Sequence, residues 1–420
     1  MDRIEVQIHK DDLCPICKEK LLILNEKNEI QKPINMKSDL LPGNGIAHDA
    51  CFMPFLNEEK IKVLVKIRCY SIGDTISISP IIREIKRIYP KCFVGVLTFY
   101  PDLFIYNPLV DEILDLNRIV YDDMIKPYTF HIDSFNSEKG GHFAMHGVDF
   151  AAICSFGRQL VREACEYEIN FSNLEMDSMI KTVSDLGMKL NDEKYIVVHP
   201  HGTEWKTRDW GKVHFVELVK RLKKEYPDHK IVSIGGKRSE VPSQKMDNYV
   251  DTECDYNLFG KLSILESIAF LNHPSIDLFI SPDTGALHIA ACARELSIVG
   301  IFTLVRAEFR TPIRNKVFGY KFRGVNADDP CCCTYNARFM TDEAHFQVCP
   351  KVTFLNKVKS IDVPTKFKRV GLKNYDASKE WQEHMVEKDI DEELKKFEPL
   401  KCFPTVDKVM EAIDSLMLGK

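Results

Sequence analysis

The residues best suited to chemistry lie in one stretch, Ser281-Pro-Asp-Thr-Gly285, which is followed by His288. This turn comes directly after a continuous apolar run at residues 278–280, a pattern typical of a strand buried on both faces of a parallel sheet. The turn then opens a helix, whose unpaired N–H groups and positive dipole end would hold a phosphate or diphosphate. The alternative is that Asp283 or Thr284 only caps the helix.

A second chemical group lies in the turn Ser71-Ile-Gly-Asp74, which follows a mostly apolar strand predicted over residues 61–67. Residues 76–89 then repeat apolar side chains at helical spacing. The turn therefore lies at the carboxyl end of a parallel strand, where open α/β sheets bind their ligands. A carboxylate held there can accept a proton, which makes Asp74 a candidate general base beside Gly73. The alternative is that Asp74 only caps the following helix.

A third group of polar residues follows two later predicted strands. His199-Pro-His-Gly-Thr203 comes after an apolar run, and Lys206 and Arg208 then supply cations that could neutralise a departing diphosphate. Gly235-Gly236 ends the next predicted strand, and Glu240 comes shortly after it. These positions predict a ligand site at the carboxyl ends of a second set of parallel strands.

Cysteines and a histidine near the start of the sequence have the spacing of a metal site. Cys14-Pro-Ile-Cys17 is followed by His48-Asp-Ala-Cys51, which gives four ligands, the number that tetrahedral zinc prefers. We predict a structural zinc module whose folding depends on the metal, and free side chains on a disordered arm are the alternative. A second candidate site, for zinc or iron, consists of Cys331, Cys333, Cys349 and Cys402. Reduced structural thiols are the alternative there.

Two successive α/β segments must position these groups, since strand and helix patterns alternate in both and predict parallel sheets. The pattern loosens between residues 117 and 173, where His142 and His146 lie in a region rich in aromatic and imidazole groups. That region is a candidate recognition surface, and a solvated variable loop is the alternative. Helices are predicted over residues 150–165, 177–190 and 405–418.

Four regions are predicted along the chain. They are a metal-binding module (1–58), an N-terminal α/β domain (59–175), a C-terminal α/β domain (176–375) and C-terminal helices (376–420). The 420 residues exceed what one hydrophobic core usually fills, which favours more than one domain.

Composition narrows the class of protein. Hydrophobic residues make up 45% and charged residues 28%, and the formal net charge of -5 excludes a global positive surplus for binding nucleic acid. The sequence contains no signal-like region at its start and no apolar run long enough to span a membrane, so we expect a cytoplasmic protein. Its 14 cysteines in that compartment argue against a disulfide framework.

In the order and spacing of these motifs, the chain resembles glycosyltransferase family 9, which contains the ADP-heptose:lipopolysaccharide heptosyltransferases. The resemblance covers roughly residues 60–322 and the last helix. It rests on four motifs: Ser71-Ile-Gly-Asp74 with Pro80 and Tyr89-Pro90, His199-Pro-His-Gly202 through Trp210, Gly235-Gly236 with Glu240, and Ser281-Pro-Asp-Thr-Gly285 with His288 and Ala290-Ala291. Each motif alone is weakly specific, whereas four in this order are fairly specific.

The resemblance implies a GT-B fold of the α/β class, with two Rossmann-like domains facing across a cleft and the C-terminal helices packing back on the N-terminal domain. It implies an inverting transfer from a nucleotide-diphosphate sugar to an acceptor hydroxyl, without a catalytic metal. The residues implied on the acceptor side are Asp74 as general base, Ser71 and Gly73. His142 and His146 are further acceptor-side candidates, from the loop that lies outside the resemblance. The residues implied on the donor side are Thr203, Lys206, Arg208, Gly235, Gly236, Glu240, Asp283, Thr284, Gly285 and His288. Arg208 stands where the family usually has a lysine, which leaves the identity of the donor open.

The acceptor is also open: a glycan such as lipopolysaccharide, a protein side chain as in the related autotransporter heptosyltransferases, or a modified nucleic-acid base. The predicted metal module favours a macromolecular acceptor. The alternative function is a non-catalytic nucleotide- or nucleic-acid-binding protein that keeps the two-domain shell. A dinucleotide-dependent oxidoreductase is disfavoured, because no G-x-G-x-x-G follows any predicted strand.

Overall fold

The computed structural model describes most of two α/β regions and the last helix of the chain. The described residues are 61–69, 71–118, 122–133, 146–156, 159–160, 165–200, 210–236, 250, 253–303, 306–312, 321–328 and 403–418, with four short strands before them. Those strands are β1 (Ile23–Leu24), β2 (Ile30–Gln31), β3 (Asn35–Lys37) and β4 (Ile46–His48), and they form the antiparallel pairs β1–β2 and β3–β4.

Residue contacts divide the chain into two compact units. The first consists of Met1–Lys139 with Gly147–Asn170, and the second of Gly140–His146 with Phe171–Lys420. Each unit contains a parallel sheet, which confirms the predicted α/β class.

In the described part of the first unit, four strands form the parallel sheet. They are β5 (Lys62–Ile67), β6 (Phe93–Thr98), β7 (Glu112–Asp115) and β8 (Phe130–Asp133), in the spatial order β7-β6-β5-β8. Val65 on the central strand lies opposite Val96 on one side and Ile132 on the other. The chain therefore runs outward from β5 to β7 and then returns to the opposite side of β5.

The helices of the first unit cover this sheet. They are α1 (Ile72–Ile76), α2 (Ser79–Ile88), a 3-10 turn (Pro101–Phe104), α3 (Asp122–Ile125) and α4 (Gly147–Phe156). In α2, Ile81, Ile82 and Ile85 are fully buried, as their helical spacing predicts. The helix predicted over residues 150–165 is instead α4. It is apolar on all sides, so its periodicity does not mark its ends.

In the described part of the second unit, six parallel strands form the sheet, in the order β11-β10-β9-β12-β13-β14. They are β9 (Lys194–Val198), β10 (His229–Ser233), β11 (Tyr256–Asn257), β12 (Ile276–Pro282), β13 (Ser297–Ile301) and β14 (Phe322–Val325). The chain starts at the central strand β9, runs outward to β11, and then crosses back to β12 and continues to β14.

The helices of the second unit are α5 (Asn173–Asp185), α6 (Lys212–Glu225), α7 (Ile264–Leu271), α8 (Gly285–Ala291), α9 (Ala307–Arg310) and α10 (Val406–Met417). The helix predicted over residues 177–190 starts earlier, because Ser172 and Glu175 form a capping box. It also ends earlier, before Gly187 with its φ of 85°. Among the helices in the described part of the chain, none is long and apolar enough to cross a membrane.

The last helix belongs to the core of the second unit. Its buried stripe includes Val409 and Ile413, both 0% exposed, which join the apolar side chains of α6, β13 and β14. The Trp210 indole Nε1–H donates to the Pro404 carbonyl at 2.8 Å and fixes the start of α10. This location differs from the prediction that the C-terminal helices pack on the N-terminal domain. The apolar stripe of α10 instead complements the second unit's own sheet.

Candidate functional site

The second sheet has one point where its strand order reverses, between β9 and β12. The His199 N–H donates to the Ile280 carbonyl at 2.8 Å, so the carboxyl ends of these two strands lie side by side. The next residues along the chain are His199 after β9 and Asp283 after β12, and both are buried, at 4% and 5% exposure. Open α/β sheets bind ligands in the crevice beyond such a reversal. The predicted anion-binding turn therefore occupies the position where the topology places a ligand.

The turn after β12 has an unusual helix start. Thr284 has the extended backbone of an N-cap residue, but its side chain makes no cap hydrogen bond. Its Oγ1 instead lies 3.1 Å from the Ser281 Oγ, and the Ser281 hydroxyl donates to the Pro282 carbonyl at 2.9 Å. The first-turn N–H groups of α8 are therefore left uncapped by Thr284. The capping alternative is correct for the backbone position of Thr284 and wrong for its side chain.

Two further predicted donor-side groups lie at the same edge. Gly235 and Gly236 follow β10, and the Ile234 N–H donates to the Val198 carbonyl at 3.0 Å, so this end of β10 stays against β9. The His199 ring also contacts the segment after β10, since its Nδ1 lies at hydrogen-bond distance, 2.8 Å, from the Ile234 carbonyl. A Cβ atom added to Gly236 would meet nothing within 4 Å. Gly236 thus leaves its backbone accessible at the sheet edge. His288 lies on α8, with 9% exposure.

In the first unit, the strand order reverses between β5 and β8, and Asp74 follows β5 at the carboxyl edge of that sheet. The predicted glycine turn is in fact the first turn of α1. Ser71 is its N-cap, and the Ser71 Oγ accepts a hydrogen bond from the Asp74 N–H at 3.4 Å. The alternative in which Asp74 caps the helix is therefore wrong. Asp74 is half-buried and Gly73 is buried. The fold thus places a carboxylate at the ligand-binding edge of this sheet.

Of the two predicted acceptor-side histidines, His146 lies in the described part of the chain, where it is buried and hydrogen-bonded. Its ring is 6% exposed, and its Nε2 lies 2.7 Å from the Thr311 carbonyl within the second unit. This environment is that of a hydrogen-bonded core histidine rather than an exposed loop group. Its contact with an acceptor stays a prediction.

Several predicted residues lie outside the described part of the chain. They are His142, Thr203, Lys206, Arg208, Glu240, Cys14, Cys17, Cys51, Cys331, Cys333, Cys349, Cys402 and the side chain of His48. Over the part of the chain that is described, no cluster of three or more His, Cys, Asp or Glu side chains has the arrangement of a metal site. The zinc and iron predictions are therefore untested.

Two residues at the carboxyl edge of the second sheet were missed by sequence reasoning. Phe259 follows β11 and its ring lies against Gly235. Arg310 ends α9, the helix between β13 and β14, and is a buried cation at 8% exposure. The Leu-Phe-Gly sequence after β11 was an available signal for Phe259, whereas nothing local marks Arg310.

Comparison with known proteins agrees with this architecture. Residues 154–326 match the family model of glycosyltransferase family 9 (heptosyltransferase). This match confirms the resemblance predicted from the sequence, and it indicates a glycosyltransferase. No curated protein matches the chain.

Solved structures share the fold at low sequence identity. A glycosyl transferase of family 9 from Veillonella parvula DSM 2008 is 12% identical with a TM-score of 0.52, covering 86% of this chain and 98% of that one. The iron-containing dodecameric glycosyltransferase TibC from enterotoxigenic E. coli H10407 is 13% identical with a TM-score of 0.51, covering 84% and 78%. The structure of TibC in complex with ADP-D-beta-D-heptose is 14% identical with a TM-score of 0.52, covering 85% of this chain and 76% of that one.

Proposed function

We propose that this chain, which contains a glycosyltransferase family 9 domain, transfers a sugar from a nucleotide-diphosphate sugar to an acceptor hydroxyl with inversion at the anomeric carbon. The observation that carries the proposal is topological. In each unit the strand order reverses between two neighbouring strands, β5 and β8 in the first and β9 and β12 in the second. A motif predicted to do chemistry follows one strand of each pair, at the carboxyl edge of the sheet. Asp74 occupies that position in the first sheet and Asp283–Gly285 in the second.

In the proposed reaction, the Asp74 carboxylate accepts the proton of the acceptor hydroxyl as its oxygen attacks the anomeric carbon. The bond from that carbon to the diphosphate breaks, and its electron pair leaves with the diphosphate. The turn Asp283-Thr284-Gly285 receives the donor, since N–H groups at a helix start interact favourably with developing negative charge. Lys206 and Arg208 are the proposed cations, and Glu240 is the proposed contact to the nucleoside. The N-cap bond from Ser71 positions Asp74 on α1.

The donor proposed for the first test is an ADP-sugar, because TibC is described in complex with ADP-D-beta-D-heptose and shares the fold. The acceptor is proposed as a glycan, a protein or a modified nucleic acid. ADP-D-beta-D-heptose is incubated with the full chain and with a panel of lipopolysaccharide core, autotransporter passenger protein and tRNA, and the release of ADP is measured. We expect one acceptor to raise ADP release well above hydrolysis.

The test of the mechanism replaces Asp74 with Asn, which keeps the shape of the side chain and removes its basicity. General-base catalysis contributes about 10²- to 10⁴-fold, so we expect kcat to fall by that factor while the Kd for ADP stays unchanged. Asp102→Asn is the matched control, because Asp102 stands in the first turn of the 3-10 helix after the neighbouring strand β6 and is exposed. Its turnover should equal that of the wild type.

Three outcomes would count against the proposal. If the wild type binds none of ADP, UDP and GDP, the chain has no nucleotide donor. If it binds one of them and Asp74→Asn keeps full turnover, Asp74 is not the base. Binding without turnover on any sugar nucleotide would favour the non-catalytic nucleotide-binding protein.

We also propose that Cys14, Cys17, His48 and Cys51 hold a structural zinc ion, since three thiolates with a histidine suit tetrahedral zinc. Iron is proposed for the second set, Cys331, Cys333, Cys349 and Cys402, because TibC is described as iron-containing. Elemental analysis of the full chain should give zinc that is lost in Cys14→Ser and iron that is lost in Cys349→Ser. The control Cys92→Ser, at a buried cysteine of the first unit, should keep both metals.

A further inference from the structure

An aromatic surface lies at the carboxyl edge of the second sheet, on the β10–β11 side. The rings of His199 and Phe259 are nearly parallel, with an interplanar angle of 8° and centroids 6.4 Å apart. Backbone hydrogen bonds fix the turn that carries Phe259, since the Leu258 N–H donates to the Ser233 carbonyl at 2.8 Å and the Gly260 N–H to the Gly235 carbonyl at 3.0 Å. Gly260 has a φ of +65°, which favours glycine there.

The Phe259 ring rests directly on the backbone of Gly235. A Cβ atom added to Gly235 would lie 2.4 Å from the Phe259 Cε1 atom, which is closer than two non-bonded carbon atoms approach in proteins. Glycine is therefore required at 235 for the ring to take this position. The His199 ring, the Phe259 ring and Gly235 therefore lie together at this edge of the sheet.

Phe259 is not among the fully buried aromatic side chains of the second unit, which include Trp210, Tyr195, Phe215, Phe270, Phe279 and Phe302. Phe259 is only half-buried, although it is apolar and stands on a short, well-bonded turn. A ring held rigidly at a ligand-binding edge and left partly open to solvent is suited to contact with a ligand.

The fold also selects the side on which a nucleoside would lie. The switch point between β9 and β12 receives the diphosphate in the proposed function, so the nucleoside must extend to one side of it. On the β13–β14 side, α9 begins beside the end of β14, since the Ala307 N–H donates to the Asn326 side chain at 2.9 Å. The β10–β11 side carries Gly236, with open space around it, and the Phe259 ring.

We propose that the Phe259 ring stacks on the nucleobase of the donor. This inference rests on the proposed function, because it requires a donor that carries a nucleoside diphosphate. Stacking of a base on an aromatic side chain tolerates any base, since every base has a flat π face. Phe259 therefore supplies affinity for the base, and other groups must select which base it is.

The test compares a probe that has a base with one that lacks it. The Kd values of ADP and of inorganic pyrophosphate are measured by calorimetry for the full-length wild type, Phe259→Leu and Phe259→Trp. We expect Phe259→Leu to weaken ADP binding about tenfold or more, at the scale of a lost base–aromatic stack, and to leave pyrophosphate binding unchanged. Phe259→Trp should retain the affinity for ADP.

Phe309→Leu is the matched control, because Phe309 is a half-buried phenylalanine on α9 at the other side of the same sheet. It should bind ADP and pyrophosphate like the wild type. Phe259→Leu overturns the inference if it binds ADP like the wild type, or if it loses ADP and pyrophosphate equally, which would mark a structural role. Failure of the wild type to bind ADP, UDP and GDP would instead overturn the proposed function and the inference together.

Discussion

The two units share the arrangement of their first four parallel strands and differ in the elements beyond the fourth. In each, a central strand is followed by two strands on one side, and the fourth strand returns to the other side of the centre. In the described residues the first sheet stops there, whereas the second continues with β13 and β14 and adds α10 to its core. The shared part creates the switch point that a ligand needs. The added part enlarges the core behind it.

The units also share a contact between an aromatic ring and a glycine, which they use differently. Tyr128 lies on Gly95 in the first unit, and Phe259 lies on Gly235 in the second. Tyr128 is 5% exposed and its hydroxyl donates to Glu112, and burial together with this bond raises the pKa of Tyr128. Phe259 carries no hydroxyl group that could hold its ring in this way, and it is half-buried. The first contact is a part of the core, and the second is a candidate ligand surface.

The largest expected effect comes from removing the side chain that joins α10 to the second unit. Trp210 is fully buried, packs edge-on to Phe215 at 5.1 Å between ring centroids, and donates to the Pro404 carbonyl. Trp210→Ala should lower the free energy of unfolding of the second unit by about 3–5 kcal/mol. Hydrogen exchange followed by mass spectrometry in increasing denaturant reports on each unit separately.

The matching change in the first unit is Phe104→Ala, at a side chain that is 1% exposed. It should deprotect peptides of the first unit and spare those of the second, with Trp210→Ala giving the reverse pattern. If either substitution deprotects both units to the same extent, the two units unfold as one. Separate free energies of unfolding could then not be assigned to them.

The next effect distinguishes the two glycine contacts. A Cβ atom at Gly95 would lie 2.0 Å from the Tyr128 hydroxyl oxygen, so Gly95→Ala must displace a buried ring and should cost about 1–3 kcal/mol. Gly235→Ala must displace Phe259, which can move toward solvent, so its cost in stability should be smaller. Its affinity for ADP should fall, whereas Gly95→Ala should leave that affinity unchanged. Thermal unfolding and calorimetric titration measure the two quantities.

Gly236→Ala is the control for the stability measurements, because a Cβ atom there meets nothing within 4 Å. It should leave the stability near that of the wild type. The comparison breaks if Gly235→Ala lowers the stability as much as Gly95→Ala and leaves the affinity for ADP unchanged, since both contacts would then be structural.

The sequence predicted the interior strands of both sheets better than their edges. Strands β5, β9 and β12 are mostly buried, and each contains an apolar run of at least three residues. The strands that were missed, β8, β11 and β14, all lie at sheet edges. An edge strand needs fewer apolar side chains: β11 has two residues, and β14 contains Arg323 and Gly324. Their pairing depends on a neighbouring strand rather than on their own pattern.

The residues of the candidate site also differ in how well the sequence predicted them. Asp74 and the turn after β12 were found because each motif lies within a few residues of its own strand. Phe259 became a candidate only through its contact with Gly235. The two residues are distant in the sequence and lie together only because β11 pairs with β10. The capping role of Ser71 was missed because a glycine in the next turn favoured a loop over a helix start.

The smallest expected effect is a difference in acid sensitivity between the units. Burial, followed by the charge of Lys66, lowers the pKa of His131 in the first unit, and burial, followed by Lys194, lowers the pKa of His273 in the second. The His273 Nδ1 accepts a hydrogen bond from the Ser275 N–H at 3.2 Å, which the protonated ring would lose. A lowered pKa means that the folded state favours the neutral ring. Its contribution is complete above the unfolded pKa of about 6.5 and is lost as the pH falls below that value.

Each unit should therefore lose stability as the pH falls below about 6.5. His131→Gln should flatten that loss in peptides of the first unit and His273→Gln in peptides of the second. Hydrogen exchange at several pH values, corrected for the intrinsic exchange rate, measures the slope for each unit. Both rings are partly exposed, so solvent weakens the effect and it ranks below the core and glycine substitutions. A slope that stays unchanged in His273→Gln would show that another group sets the acid sensitivity of the second unit, and the same holds for His131 in the first.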